Sequence, residues 1–284
     1  MRWLGVGRSP RFSPNSVARD AAVLHGVAER LRRMGDDVEL TSEDDYCGPE
    51  GADGLFCMAR DRAVLALIAA EEERGLPVVN SARALLRATR TELTRLFAAG
   101  GIPQPDFVLI DPSLGDVPAL SVPWWLKRGD ACAQEKGDVT LLRDEADVRP
   151  ALRAFARRGI ASAVGLRHVP GDLVKFYGVE GSDFFYYYYP TAGSHFSKFG
   201  LERANGAPGG YVFDVAALKR TADRAARLSG LTVYGGDCIV RPAGDFCLID
   251  FNDWPSFSLC KNEAAAAIAR KLFNTGRQTA GREQ

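Results

Sequence analysis

The segment Tyr234-Gly-Gly-Asp237-Cys-Ile-Val-Arg-Pro-Ala-Gly-Asp-Phe-Cys-Leu-Ile-Asp250-Phe-Asn252 constrains the fold more than any other part of the chain. Two short apolar runs flank Pro-Ala-Gly-Asp, residues that favour a tight reversal, so the segment reads as an antiparallel hairpin. Side chains alternate along a strand, which sends Asp250 and Asn252 to one face, and Asp237 lies near the start of the partner strand. Two carboxylates and one amide oxygen on adjacent strands make a hard oxygen set. Mg²⁺ bridged to substrate phosphates suits such a set, because it takes a few carboxylates and completes its shell with phosphate and water oxygens. The competing reading of Asp250-Phe-Asn-Asp253 is a strand running into a turn, where Asp and Asn are common. The rest of the chain has to decide between them.

A length of 284 residues suits two or three compact units, and 46% hydrophobic with 25% charged residues is the composition of a folded chain. Thirty-six basic and 36 acidic residues cancel, so no global field draws nucleic acid or an anionic membrane; any anion site must be local. The six cysteines, Cys47, Cys57, Cys132, Cys238, Cys247 and Cys260, show no Cys-x-x-Cys spacing and read as reduced thiols of a cytosolic protein. Cys238 and Cys247, on the two hairpin strands, read as small core residues. The N-terminus lacks the apolar core of a signal peptide and no run approaches the roughly 20 residues that span a bilayer, so a cytoplasmic location and no membrane partner are expected. The aromatic run Phe184 to Tyr189 has no basic stripe beside it, and reads as a strand packed on both faces rather than a stacking platform for bases.

Strand and helix patterns alternate at first, which argues for a parallel sheet. Strands are expected at Trp3 to Val6, Val38 to Leu40, Leu55 to Met58 and Val78-Val79, with a helix capped at Ser13-Pro14 and running to Gly35, and another from Asp61 to Arg74. Two helices, Ser81 to Leu86 and Thr89 to Ala99, lead into Gly101-Ile-Pro-Gln-Pro105. Then come strands at Phe107 to Ile110, Pro123 to Lys127, Thr140 to Leu142 and Ala163 to Val169, with a helix from Asp144 to Arg158, a set the size of a small α+β lid. The last third holds strands at Leu173 to Tyr177 and Phe184 to Pro190, a helix at Val215 to Leu228, the hairpin, and a helix from Asn262 to Phe273 followed by a frayed polar tail. The boundaries follow as 1–84, 85–168, 169–275 and a tail at 276–284.

No Gly-x-x-x-x-Gly-Lys-Ser/Thr occurs, and Gly5-Val-Gly7 lacks the third glycine of a dinucleotide fingerprint, so that pair reads as a tight turn. Three cations, Arg90, Lys127 and Lys175, stand on elements that can face one cleft; each also has a plain reading as a solvated side chain. Lys127 leaves the apolar run Trp124-Trp-Leu, and a buried ammonium needs an anionic partner. Arg8, Ser9, Arg11, Ser13 and Asn15 surround the end of the first strand, where open α/β sheets bind ligands, and Ser194, His195, Lys198, Arg203 and Asn205 form a second polar cluster. Either suits a substrate carboxylate, and together they also suit several phosphates.

On these residues the chain resembles the ATP-grasp enzymes, within them the RimK-type and glutathione synthase-like ligases. The resemblance runs from about Pro77 to Phe257. Val-Val-Asn80-Ser81 with Arg90 and Gly101-Ile-Pro-Gln-Pro105 looks like the family's entry into its nucleotide domain, and Pro123-Trp-Trp-Leu-Lys127 like its phosphate-contacting strand and lid. Leu166-Arg167-His168-Val169-Pro-Gly-Asp172 looks like the adenine hinge, and Gly236-Asp237 with Ile249-Asp250-Phe-Asn252 like the metal strands. The hinge departs from the usual Gln-Glu, the lid carries only Gly129 and Gly137, and Asp250 replaces the more usual Glu.

The resemblance implies an α/β fold with α+β subdomains, an ATP-grasp fold behind a Rossmann-like N-terminal domain. It implies ATP and Mg²⁺, with Arg90, Lys127, Arg167, His168, Val169, Asp172 and Lys175 binding nucleotide and Asp237, Asp250 and Asn252 binding metal. Lys175 and Arg203 are the candidate catalytic cations, and Arg8, Arg11, Asn15, Lys198, Arg203 and Asn205 the candidate substrate contacts. The reaction implied is ligation of a small-molecule or peptide carboxylate to an amine or related nucleophile through an acyl phosphate, with ADP released. Two alternatives stay open: a small-molecule kinase resembling the inositol trisphosphate kinases, in which His195 or Asp253 would take the hydroxyl proton, and a nucleotide-binding protein without turnover.

Overall fold

The structure is a computed structural model and describes residues 1–13, 16–131, 133–190 and 206–280. The first third forms a parallel sheet of β1 (Arg2–Gly7), β2 (Asp37–Ser42), β3 (Gly54–Cys57) and β4 (Val78–Val79), in the order β2-β1-β3-β4. Both faces are covered, as a parallel sheet requires. Trp3 and Phe56 join Val23, Val27 and Leu31 of α1 (Val17–Arg33) on one side; Leu4, Val6 and Leu55 join Leu65 and Ile68 of α2 (Arg62–Glu73) and Ala82 of α3 (Ala82–Arg87) on the other. Gly5 and Gly7 lie inside β1 rather than in a turn; at Gly5 the side chains of Phe56 and Leu40 fill the space a Cβ would take. α1 starts at Val17, not near Pro14, and Ser13 is not its cap: the Ser13 hydroxyl is given instead to the carboxylate of Asp20, in the helix's first turn.

The central unit is an antiparallel sheet of β5 (Phe107–Ile110), β6 (Trp124–Arg128), β7 (Val139–Leu142) and β8 (Ala163–Arg167), in the order β5-β8-β6-β7. The face carrying Trp124, Leu126 and Leu142 packs on Val148, Leu152 and Phe155 of α5 (Glu145–Arg157), whose N-cap is Asp144 as expected. The C-terminal sheet is antiparallel too, in the order β10-β9-β11-β12, with β9 (Asp172–Val179), β10 (Phe185–Tyr188), β11 (Val233–Val240) and β12 (Phe246–Asp253). α4 (Arg90–Ala99) and α6 (Val215–Ser229) cover one face through Leu93, Phe97, Leu218 and Ala222. The aromatic strand is packed on both sides: Phe185 and Tyr189 meet that helical core, while Tyr186 and Tyr188 meet the core around α1.

β11 and β12 are the two strands of the hairpin, with Asp237 directly opposite Asp250. A bulge between Asp237 and Cys238 shifts the register, so Cys238 faces Leu248 and Cys247 faces Ile239; the two thiols are not opposite each other and both are free. The last helix, α7 (Lys261–Ala280), continues past Phe273 through part of the expected polar tail. Packing explains the extension. Ala264, Ala265, Ile268 and Leu272 are buried against α1, and Met1 and Trp3 press on Gly276 where a Cβ would stand. The same core takes in Tyr177 and Val179 of β9 and Val233 of β11, so the helix last in the chain closes the layer first in the chain against the C-terminal sheet. No helix among the described residues is long and apolar enough to cross a membrane.

Asn80, fully buried after β4, adds a second tie. Its amide donates to the Val233 carbonyl at 2.9 Å and accepts from the Val233 N–H at 2.6 Å. Asn80→Ala would strand the Val233 N–H at the start of β11 and leave its carbonyl only the Trp254 N–H, at 3.3 Å, and is expected to cost about 1–3 kcal/mol of stability by urea denaturation.

Candidate active site

Where the three sheets meet there is a cavity of about 360 Å³. The residues at which it is lined come from every part of the chain: Arg8 and Arg60 from the N-terminal sheet, Arg90 from α4, Lys127 from β6, Arg167, His168 and Val169 at the end of β8, Lys175 from β9, and Asp237, Asp250, Asn252 and Asp253 from the hairpin. Trp125, Val139, Leu166, Leu173, Ile239 and Ile249 supply apolar walls.

The charges are arranged in pairs. Lys175 Nζ donates to both oxygens of Asp237, at 2.9 and 3.0 Å. Their register makes this possible, since Lys175 on β9 and Asp250 on β12 lie either side of Asp237 on β11. Arg90 reaches Asp250 Oδ1 at 3.4 Å and also donates to the Arg128 carbonyl. Lys127 Nζ donates to the Ile249 carbonyl at 2.8 Å, which ties the central sheet to the hairpin one residue before Asp250.

These surroundings divide the two carboxylates. Burial, with the neighbouring Asp250 adding to it, raises the pKa of Asp237 despite Lys175. Burial also acts upward on Asp250, but Arg90 and Lys127 outweigh it, helped by a hydrogen bond with Asn252, and its pKa falls below the ordinary value. Lys127 is itself pushed down to about 8, by burial first and then by Arg90, while Asp250 and Asp237 act in the opposite direction. At His168 burial, then Arg143, lowers the imidazole's pKa. Its Nδ1 accepts the Trp125 indole N–H at 3.1 Å, which places the proton of the neutral ring on Nε2.

Not every expected residue is in this cavity. Asp172 is not among its lining: the side chain is buried and accepts the backbone N–H groups of Gly209, Gly210 and Tyr211 at 2.6 to 2.9 Å, so it shapes a loop rather than contacting a base. Arg11 is exposed and pairs with Asp61 at 2.7 Å and Asp44 at 3.6 Å, outside the lining. Asn15, Ser194, His195, Lys198, Arg203 and Asn205 lie outside the described residues. The lining also includes Asp20, Arg60, Trp125 and Tyr177, which motif and spacing did not single out. For Arg60 a signal existed. It follows β3, and the rule that ligands gather beyond the carboxyl ends of parallel strands covers that loop as well as the one after β1.

Among the described residues no group of three or more His, Cys, Asp and Glu side chains forms a metal cage. Asp237, Asp250 and the Asn252 amide line one cavity as a hard oxygen set, of the kind that suits a divalent ion completing its shell with phosphate and water.

No family model matches the chain, and no curated protein matches it. Its fold does match solved structures. A RimK domain protein, ATP-grasp, from Sphaerobacter thermophilus aligns with a TM-score of 0.64 at 18% identity, over 96% of this chain and all of that one. A D-alanine–D-alanine ligase from Bacillus anthracis aligns at 0.63 and 12% identity over 99% of this chain and 98% of that one. The same ligase complexed with ATP aligns at 0.65 and 11% identity over the whole of both chains. The chain thus has the ATP-grasp fold, the α/β architecture that the resemblance implied.

The lowered pKa of Lys127 gives a test of the expectation that it contacts phosphate. It carries its charge only below about pH 8, so the affinity for ATP in EDTA is expected to fall as pH rises through 8, by up to about tenfold per pH unit. Lys127→Met should bind ATP weakly throughout and lack that step, which calorimetric titration from pH 7 to 9.5 would register.

Proposed function

We propose that this chain is an ATP-dependent, ADP-forming ligase that activates a carboxylate and passes it to an amine or related nucleophile. The observation that carries the proposal is the meeting of Arg90, Lys127 and Lys175 with Asp237, Asp250 and Asn252 at one cavity, in a fold shared with two D-alanine–D-alanine ligase structures, one of them complexed with ATP.

In this reading the apolar walls around Trp125 and Ile249 take the base, and His168 offers it a neutral imidazole. Arg90, Lys127 and Lys175 offset charge on the phosphates as the terminal phosphoryl moves, work that is almost wholly electrostatic and positional. Lys175, on β9 beside Asp237, is the cation assigned to that group in this reading. Asp237, Asp250 and Asn252 would hold Mg²⁺, whose chemistry when bound is to neutralise phosphate charge. The substrate carboxylate attacks already ionised, so the protein needs no base; Arg8 and Arg60 stand on the N-terminal side of the cavity, where the acid and its nucleophile would enter.

A hydroxyl-phosphorylating kinase is the second reading, and one observation weighs against it. Such an enzyme needs a group to take the acceptor proton; of the two candidates, both oxygens of Asp253 are engaged by guanidinium groups, and His195 lies outside the described residues.

The test is mass spectrometry of a small-molecule pool incubated with Mg-ATP and the protein. ADP together with a condensed amide or ester is the expected outcome, reduced by about a hundredfold or more in Asp250→Ala. ADP with a phosphorylated hydroxyl compound would replace the ligase by a kinase, and bound but unchanged ATP would leave only nucleotide binding.

A further inference from the structure

Asp253 is a buried carboxylate, 6% exposed, to which the reaction above gives no role. It is the last residue of β12 and follows Asn252. Its Oδ1 accepts from Arg60 at 2.5 Å and its Oδ2 from Arg8 at 3.1 Å. Both guanidiniums come from the N-terminal unit, one just beyond β1 and one beyond β3.

Neither arginine is loose. Arg8 also donates to Asp20 at 3.1 Å and to the Met58 carbonyl at 3.2 Å. The buried side chain of Glu43 accepts the backbone N–H groups of Ser9, Arg60 and Asp61, at 2.5, 2.8 and 2.7 Å, and so ties the loops that carry both arginines to each other. On the other side of the contact the strand runs out. Asp253 is opposite Tyr234 in the last pair of the β11–β12 ladder, and the chain then bends at Trp254, whose φ of 35° lies in the left-handed region.

The end of the strand that carries Asp250 and Asn252 is therefore held to the N-terminal unit by two ion pairs, with only one further backbone bond to β11, from the Trp254 N–H to the Val233 carbonyl at 3.3 Å. Buried ion pairs contribute little net stability, because desolvation offsets their attraction. What they do supply is geometry, and groups that orient metal ligands from behind typically alter metal affinity when they are removed. Resting on the reading of Asp250 and Asn252 as metal ligands, we propose that Asp253 is a positioning residue: clamped by Arg8 and Arg60, it sets the placement of the Asp250–Asn252 pair for Mg²⁺.

The experiment measures binding of TNP-ATP to the full chain, in EDTA and across a Mg²⁺ titration. For Asp253→Asn the half-saturating Mg²⁺ concentration is expected to rise about tenfold or more, while affinity in EDTA stays within about twofold of the parent. Asp253→Glu should recover most of the loss. The Arg8→Gln/Arg60→Gln pair should reproduce it, with little added by Asp253→Asn on top, since groups in one network are not additive. Arg60→Gln alone, a milder change at a partly exposed side chain, should show a smaller rise and keeps the test open if Asp253→Asn does not fold. An unchanged Mg²⁺ requirement overturns the proposal, as does an equal loss in EDTA, which would mean general loosening. A parent protein whose TNP-ATP binding ignores Mg²⁺ removes the metal reading and the proposal with it. A parent that binds with Mg²⁺ yet forms no condensed product defeats the ligase reading alone.

Discussion

Compensation of buried charge at the junction of three sheets is the constraint on which the rest of this structure depends. Asp237 and Asp250 face each other across one hairpin, each side chain about a quarter exposed, and two such carboxylates partly withdrawn from water repel and lose solvation together. Lys175, Arg90 and Lys127 answer them from β9, α4 and β6. Because each cation comes from a different element, satisfying the charges also fixes how the central sheet and α4 approach the hairpin. Lys127 shows the cost of that arrangement: burial among other cations brings its pKa down to about 8, a loss that only nearby anions oppose.

The same logic is repeated on the N-terminal side with other residues. Arg8 and Arg60 share Asp253, and Arg8 also takes Asp20. Here the anions belong to both partners in the contact, so the network joins the parallel sheet to the hairpin without leaving a charge alone in the interior. Apolar packing sets the larger frame. α7 lies on α1 and closes over β9 and β11, and Asn80 pairs with the backbone of Val233. The cavity is the gap left where these contacts bring three curved layers together without filling the space between them.

Much of this was legible one residue at a time. The hairpin could be read from alternation and turn chemistry, and the cap at Asp144 from a side chain that accepts a first free N–H group of the helix. Gathering Arg90, Lys127 and Lys175 with the hairpin carboxylates was likewise within reach, because a cation on an apolar strand implies a partner. The failures share a cause. Asp172 and Arg11 have the same chemistry as true cavity residues, but one is consumed by the backbone of Gly209 to Tyr211 and the other points outward to Asp61. Side-chain type states what a residue can do and not which neighbour claims it first.

By itself, the sequence determined most of the local elements, the parallel pairing of the first strands, and the placing of oxygen donors on one antiparallel hairpin, since each of these follows from periodicity and turn residues within a short stretch. The tertiary structure alone decided that Asp20 and Tyr177 join the cavity, that Cys238 and Cys247 slip out of opposition across a bulge, and that α7 keeps its helix through a polar, glycine-containing end. Those outcomes depend on contacts between residues far apart in the chain, where burial against α1 or an ion pair to Arg8 outweighs the weak local preferences that the sequence displays.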